Sequence, residues 1–216
     1  PKILPQFFGL GNKLIVNDDI FEWAELPKSV AVFGSGVIGL ELGQALHRLG
    51  VKVKVFGRPG RIRPITDPEI VSYAKKTFQS EFYLDSDSTI EKIWRDDDEV
   101  VIQYLTDGKQ NIERFEYLLA ATGRKPNIED LDLFRTSLQL DSNGVPVFDP
   151  LTMQCGNSHI FIAGDINNDL TLLHEAADEG KIAGENAATF PHVSRGIRRS
   201  MLSVVFTDPQ IAVLGE

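Results

Sequence analysis

One cysteine, Cys155, stands among 216 residues, so no intrachain disulfide can form and the composition carries no mark of an oxidising compartment. An excess of positive charge is missing as well. The 22 Lys and Arg are outnumbered by 31 Asp and Glu, a formal net charge of −9, which argues against the concentrated cationic face that nucleic acids and anionic membranes require. No apolar run approaches the ~18 residues of a membrane span, and no signal peptide is recognisable. His47, His159 and His192 have no cysteine, histidine or acidic partner at metal-ligand spacing, and the acidic run at 95–99 lacks the longer calcium-loop pattern, so no metal is expected. These absences lead to the expectation of a cytoplasmic protein with no nucleic-acid, membrane or metal partner.

What is present is ordinary globular material, 42% hydrophobic and 25% charged, enough for one large or two small cores. A β-branched apolar run at 29–34 is followed by a helix-period stripe of Ile38, Leu42, Ala45, Leu46 and Leu49, which Gly50 stops. Val51 to Phe56 completes a βαβ unit. A helix is expected from Asp67, a suitable N-cap, with Pro68 at its first position. Segments near 89–95, 99–106 and 110–116, separated by Asp-rich and Asp107-Gly108 turns, read as a three-stranded antiparallel meander. Tyr117 to Ala121 reads as a buried strand and Ile160 to Ala163 as a short one. Between 172 and 189, small or apolar residues at 173, 176, 177, 180, 184, 187 and 188 predict a helix packed through that stripe. The fold class expected is α/β, a Rossmann-like domain carrying the meander. The chain begins Pro1-Lys2 and stops at "SVVFTDPQIAVLGE", where a strand, a turn and a second strand have barely begun, so a piece of a longer protein is expected.

Gly34, Gly36 and Gly39 match G-x-G-x-x-G between the first strand and its helix. There the first glycine permits a tight turn, the second admits the pyrophosphate of a dinucleotide, and the third lets helix and strand touch. Val37 and Ile38 share the helix amino end, whose free N–H groups favour an anion. The alternative is a glycine-rich turn without a ligand. After the second strand, an NAD site commonly has a carboxylate for the ribose 2′-hydroxyl, whereas an arginine suits the 2′-phosphate of NADP. Here Gly57 has no side chain, and Arg58, Arg61 and Arg63 follow it. NADP preference, dual use and a merely solvated cationic loop all remain open.

Four ordered stretches, "VAVFGSGVIGLELGQALHRLG", "LLAATGRKPN", "IFIAGDINNDLTLLHEAADEGKIAGENAA" and "VVFTDPQIAVLG", resemble the flavoprotein disulfide reductases over nearly the whole chain, most closely the dihydrolipoamide dehydrogenase branch. The resemblance implies that residues 1–26 end a first FAD-domain segment and that 27–147 form the NAD(P) domain. It assigns 148–190 to the closing FAD-domain segment and 195–216 to the start of a dimerisation domain. It places Gly123 beside the nucleotide, Glu41 at the flavin–nicotinamide contact paired with a lysine, and Asp165 on the flavin ribityl chain. A helix-end carboxylate and a turn residue are the alternatives for Glu41 and Asp165.

By the same resemblance the cofactors are NAD(P) and, in the full-length parent, FAD. The partners are a small-molecule disulfide or dihydrolipoyl substrate and a second subunit in a homodimer. The family's other FAD glycine motif, its Cys-x4-Cys pair and its His-Glu dyad do not occur in these 216 residues. Cys155 cannot replace the pair, because disulfide exchange needs two sulfurs in reach. The chain alone is therefore expected to bind nucleotide without completing the reaction. A nucleotide-binding module without catalysis, or an NADH oxidase-like or ferredoxin reductase-like flavoenzyme, are the competing functions.

Overall fold

The computed structural model describes residues 1–215. They form two compact units. The first comprises Pro1–Arg124 with Val204–Val213, and the second comprises Lys125–Ser203 with the last residues from Leu214.

In the first unit, strands β1 (Leu14–Ile15), β2 (Ser29–Phe33), β3 (Lys52–Phe56), β4 (Tyr83–Asp85) and β8 (Tyr117–Ala120) make a five-stranded sheet in the order β1-β8-β2-β3-β4. Every pairing is parallel. A parallel sheet needs cover on both faces, which is why four of the five residues in each of β2 and β3 are buried, all of them apolar except Lys54. Alternation along β2 separates the two cores. Val30 and Val32, with Val53 and Val55, face helices α1 (Val37–Arg48) and α2 (Pro68–Gln79) through Leu40, Leu46, Ala74 and Phe78. Ala31 and Phe33, with Phe56, face the antiparallel sheet of β5 (Thr89–Asp96), β6 (Glu99–Thr106) and β7 (Lys109–Phe115) through Val100, Ile102, Tyr104 and Phe115.

Turn chemistry accounts for the edges of these elements. Asp67 accepts from the N–H groups of Glu69 and Ile70 at 2.8 and 3.2 Å, capping α2 as expected. Asp107 and Gly108 both take positive φ, which a two-residue hairpin turn matched to strand twist requires. The short edge strands β1 and β4 are not signalled by periodicity, because elements of two or three residues have none, and the nine-residue 3-10 segment Pro5–Lys13 is broken by Gly11 at φ +56. Lys54, on the meander side of β3, is buried. Its ammonium donates to Tyr104 and Glu113 and lies 3.7 Å from the ring centroid of Tyr83, and this pairing makes its burial tolerable.

Two expectations in the second unit are corrected. Ile160–Ala163 is not a strand. Only Phe161 bridges Gln154, and Gly164 at φ +76 then turns the chain. Helix α3 (Leu173–Thr189) does not bury its small-residue stripe. Its buried residues are Glu175, Glu179, Ile182 and Asn186, and Leu173 is 89% exposed. Polar residues take the inner face because each finds partners there: Arg198 for the two glutamates, and the carbonyl of Thr152 and the N–H of Ser194 for Asn186. A smaller apolar cluster joins Ile128 and Val145 to Cys155 and Ile162. The remaining strands, β9 (Leu202–Val205) and β10 (Ile211–Leu214), form a two-stranded sheet. No helix among the described residues is long and apolar enough to cross a membrane, and among them no three or more His, Cys, Asp or Glu side chains come together as a metal site would need.

Candidate functional site

The loops after β2, β3, β4 and β8 all leave the carboxyl edge of one parallel sheet, the edge at which doubly wound sheets hold their ligands. Gly34 leaves β2 at φ +126 and donates its N–H to the carbonyl of Phe56 at 2.8 Å. A Cβ on Gly34 would collide with the carbonyl of Ala121, and one on Gly39 with the carbonyl of Gly34, so both positions are closed to side chains by backbone. Gly36 differs. Its backbone is extended (φ −95°, ψ −174°), and a Cβ there would meet nothing within 4 Å.

No side chain caps α1, and its first hydrogen bond runs from the N–H of Leu40 to the carbonyl of Gly36 at 2.9 Å. The N–H groups of Val37, Ile38 and Gly39 therefore lack helical acceptors. Unsatisfied donors, the positive end of the helix dipole and open space before Gly36 together form a cradle suited to a diphosphate.

The loop after β3 is folded back onto this turn. Gly57 donates its N–H to the carbonyl of Asp85 at 2.7 Å. Ser35, nearly buried, donates its hydroxyl to the carbonyl of Arg61 at 2.8 Å and accepts the N–H of Arg63 at 3.2 Å through its own carbonyl. Ile62 anchors the same loop in the core. Arg58, Arg61 and Arg63 are exposed and form no ion pair among the described residues.

After β8, the exposed Gly123 accepts the N–H of Lys2 through its carbonyl at 2.8 Å, while Thr122 donates its hydroxyl to the carbonyl of Lys2 at 2.5 Å. Glu41 accepts the N–H of Phe206 at 2.8 Å, and no lysine among the described residues lies within ion-pair reach of it. Gln44, one turn further on, pairs with both backbone groups of Asp208 at 2.8 Å. Nothing in the sequence flagged Gln44, because its partner lies far along the chain.

Asp165 lies in the second unit, exposed on the 3-10 turn Gly164–Asn167. Glu179 holds that turn, accepting from the N–H of Gly164 and the amide of Asn167, each at 2.7 Å. Arg198 donates to Glu179 and Glu175 at 2.8 and 2.9 Å. Residue-type patterning missed this group. The only signal was a pair of carboxylates four residues apart in a helix otherwise rich in alanine. Cys155 is buried, and burial pushes its thiol pKa up, which is the opposite of nucleophilic activation.

A family model for pyridine nucleotide-disulphide oxidoreductases matches residues 5–180. The chain is 32% identical over 203 residues to a mercuric reductase of Bacillus cereus, covering 93% of this chain and 32% of that protein. It is 32% identical over 196 residues to a dihydrolipoyl dehydrogenase of Bacillus subtilis, covering 89% of this chain and 41% of that protein. Among solved structures, LpdA from Mycobacterium tuberculosis superposes with a TM-score of 0.82 at 28% identity, over 100% of this chain and 46% of that one. The chain thus spans less than half the length of the relatives it matches.

Proposed function

The chain belongs to the pyridine nucleotide-disulphide oxidoreductase family, and from that premise we propose that it is the central part of an FAD-dependent reductase related to dihydrolipoamide dehydrogenase. In this reading the parent exchanges hydride between NAD(P)(H) and FAD and couples it to a small-molecule dithiol or disulfide. Residues 27–147 serve the nicotinamide nucleotide, 1–26 and 148–190 belong to the FAD domain, and 195–216 begin the interface of a homodimer. The observation that carries the proposal is the uncapped amino end of α1 facing open space at Gly36.

The residues present fit the pyrophosphate of NAD(P). The N–H groups of Val37, Ile38 and Gly39 receive it, while Gly34 and Gly39 allow the close backbone approach. Arg58 takes the 2′-phosphate where the cofactor carries one, since Gly57 offers no side-chain carboxylate for a ribose hydroxyl. Glu41, on α1, is the carboxylate of this reading at the nicotinamide end. Asp165 and its Glu179-held turn offer one exposed carboxylate toward a flavin ribityl hydroxyl. FAD, when bound, supplies the two-electron acceptor, and the protein supplies position and electrostatics.

Isothermal titration of the 216-residue chain with NADH and with NADPH tests the reading. Saturable binding of at least one is expected. A folded chain that binds neither overturns it.

A further inference from the structure

Position 57 lacks a side chain for a reason that lies at position 35. The φ of Gly57 is not among the left-handed values, so its backbone would accept any residue. Space is the obstacle. A Cβ there would lie 2.5 Å from the hydroxyl oxygen and 2.9 Å from the Cβ of Ser35, and 3.3 Å from the Cβ of Ser86.

Rotation of Ser35 could relieve only the first contact, and it would break the hydroxyl's bond to the carbonyl of Arg61. The Cβ–Cβ contact persists in any rotamer. Ser35 is only 7% exposed and is also tied to the N–H of Arg63, so it has little room to retreat. The Ser86 contact is looser and can give by a few tenths of an ångström.

We propose that Ser35 is a specificity-determining positioning residue. It excludes an acidic side chain from position 57, and it pins the arginine loop beside the glycine turn, so that the cofactor's ribose end meets guanidinium groups rather than a carboxylate. The inference rests on the nucleotide-binding reading above, yet its steric core is independent of any ligand. Residues 35 and 57 behave as one unit: a carboxylate at 57 becomes useful only when residue 35 has no Cβ.

Two double-mutant cycles on the 216-residue chain test this. In the first, thermal unfolding compares Gly57→Ala in the wild-type and Ser35→Gly backgrounds. The alanine is expected to lower the Tm clearly in the former and much less in the latter. Equal shifts in both backgrounds overturn the steric coupling, whether or not a nucleotide binds. In the second, calorimetric titration with NADH compares Gly57→Asp in the same two backgrounds. A charge-assisted hydrogen bond to the ribose raises affinity roughly 10-fold or more, and that gain is expected only together with Ser35→Gly. An equal gain from Gly57→Asp alone overturns the specificity role. Failure of the wild type to bind either nucleotide instead strikes the functional reading, while the thermal cycle still decides the coupling.

Discussion

The buried carboxylate of Glu179 accepts the backbone N–H of Gly164 at 2.7 Å, tying the turn that carries Asp165 to the middle of α3. Its second oxygen receives Arg198, so one side chain satisfies a backbone donor, the amide of Asn167 and a guanidinium. Removing it leaves the N–H of Gly164 and the amide of Asn167 without this acceptor in a buried site. Glu179→Ala is expected to destabilise the chain by about 3 kcal/mol, the lower end for a broken buried pair, because Arg198 keeps Glu175. Glu179→Gln, which retains one acceptor oxygen, is expected to lose less. Urea unfolding of both variants checks the order.

The glycines of the turn separate into two kinds. Gly39→Ala drives a methyl into the carbonyl of Gly34 and is expected to lower the unfolding midpoint substantially, with nucleotide binding lost as a consequence. Gly36→Ala meets open space and keeps a permitted backbone, so stability is expected to hold within about 0.5 kcal/mol while affinity for the dinucleotide falls. Circular dichroism melts paired with calorimetric titration distinguish the two outcomes.

Arg58→Ala is expected to weaken NADPH binding about 10 to 100-fold, the worth of a charge-assisted hydrogen bond. NADH binding should change little, because its ribose carries no phosphate. The ratio of the two affinities, measured at fixed ionic strength because salt screens exposed charges, is the quantity that decides. A wild type that favours NADH, with a ratio unmoved by the substitution, would leave the arginines as a solvated loop.

Acid should weaken the contact between the parallel sheet and the meander. Burial raises the pKa of Glu113, but hydrogen bonds from Lys54 and Tyr104 and the attraction of Lys54 outweigh it, so the net shift is below the ordinary 4.5. A depressed native pKa contributes stability that is present above 4.5 and lost as the pH falls through the native value. Glu113→Gln is therefore expected to be destabilising at neutral pH and nearly neutral in strong acid. Denaturant midpoints at both pH values measure this.

Much of the first unit was legible in the residues themselves. The βαβ unit, the capped α2 and the meander follow from local patterns, and the spacing of Gly34, Gly36 and Gly39 announces a tight strand-to-helix turn that backbone closes to a Cβ at Gly34 and Gly39. Periodicity misled at α3, where alanines and glycines suggested a packed stripe while the buried face carries Glu175, Glu179 and Asn186. Hydrophobic pattern cannot foresee polar burial, because its feasibility depends on partners such as Arg198 and Ser194 that come from another segment.

The sequence by itself determined that a glycine-rich turn joins Phe33 to Val37 and that no carboxylate directly follows β3. Only the tertiary structure decided why. The absence at Gly57 is enforced by Ser35, 22 positions earlier in the numbering, and Glu41 reaches a backbone N–H at Phe206. Local propensity acts over a few bonds along the chain. Exclusion of volume and satisfaction of buried donors act through space, between residues whose proximity exists only once the sheet and its helices have closed.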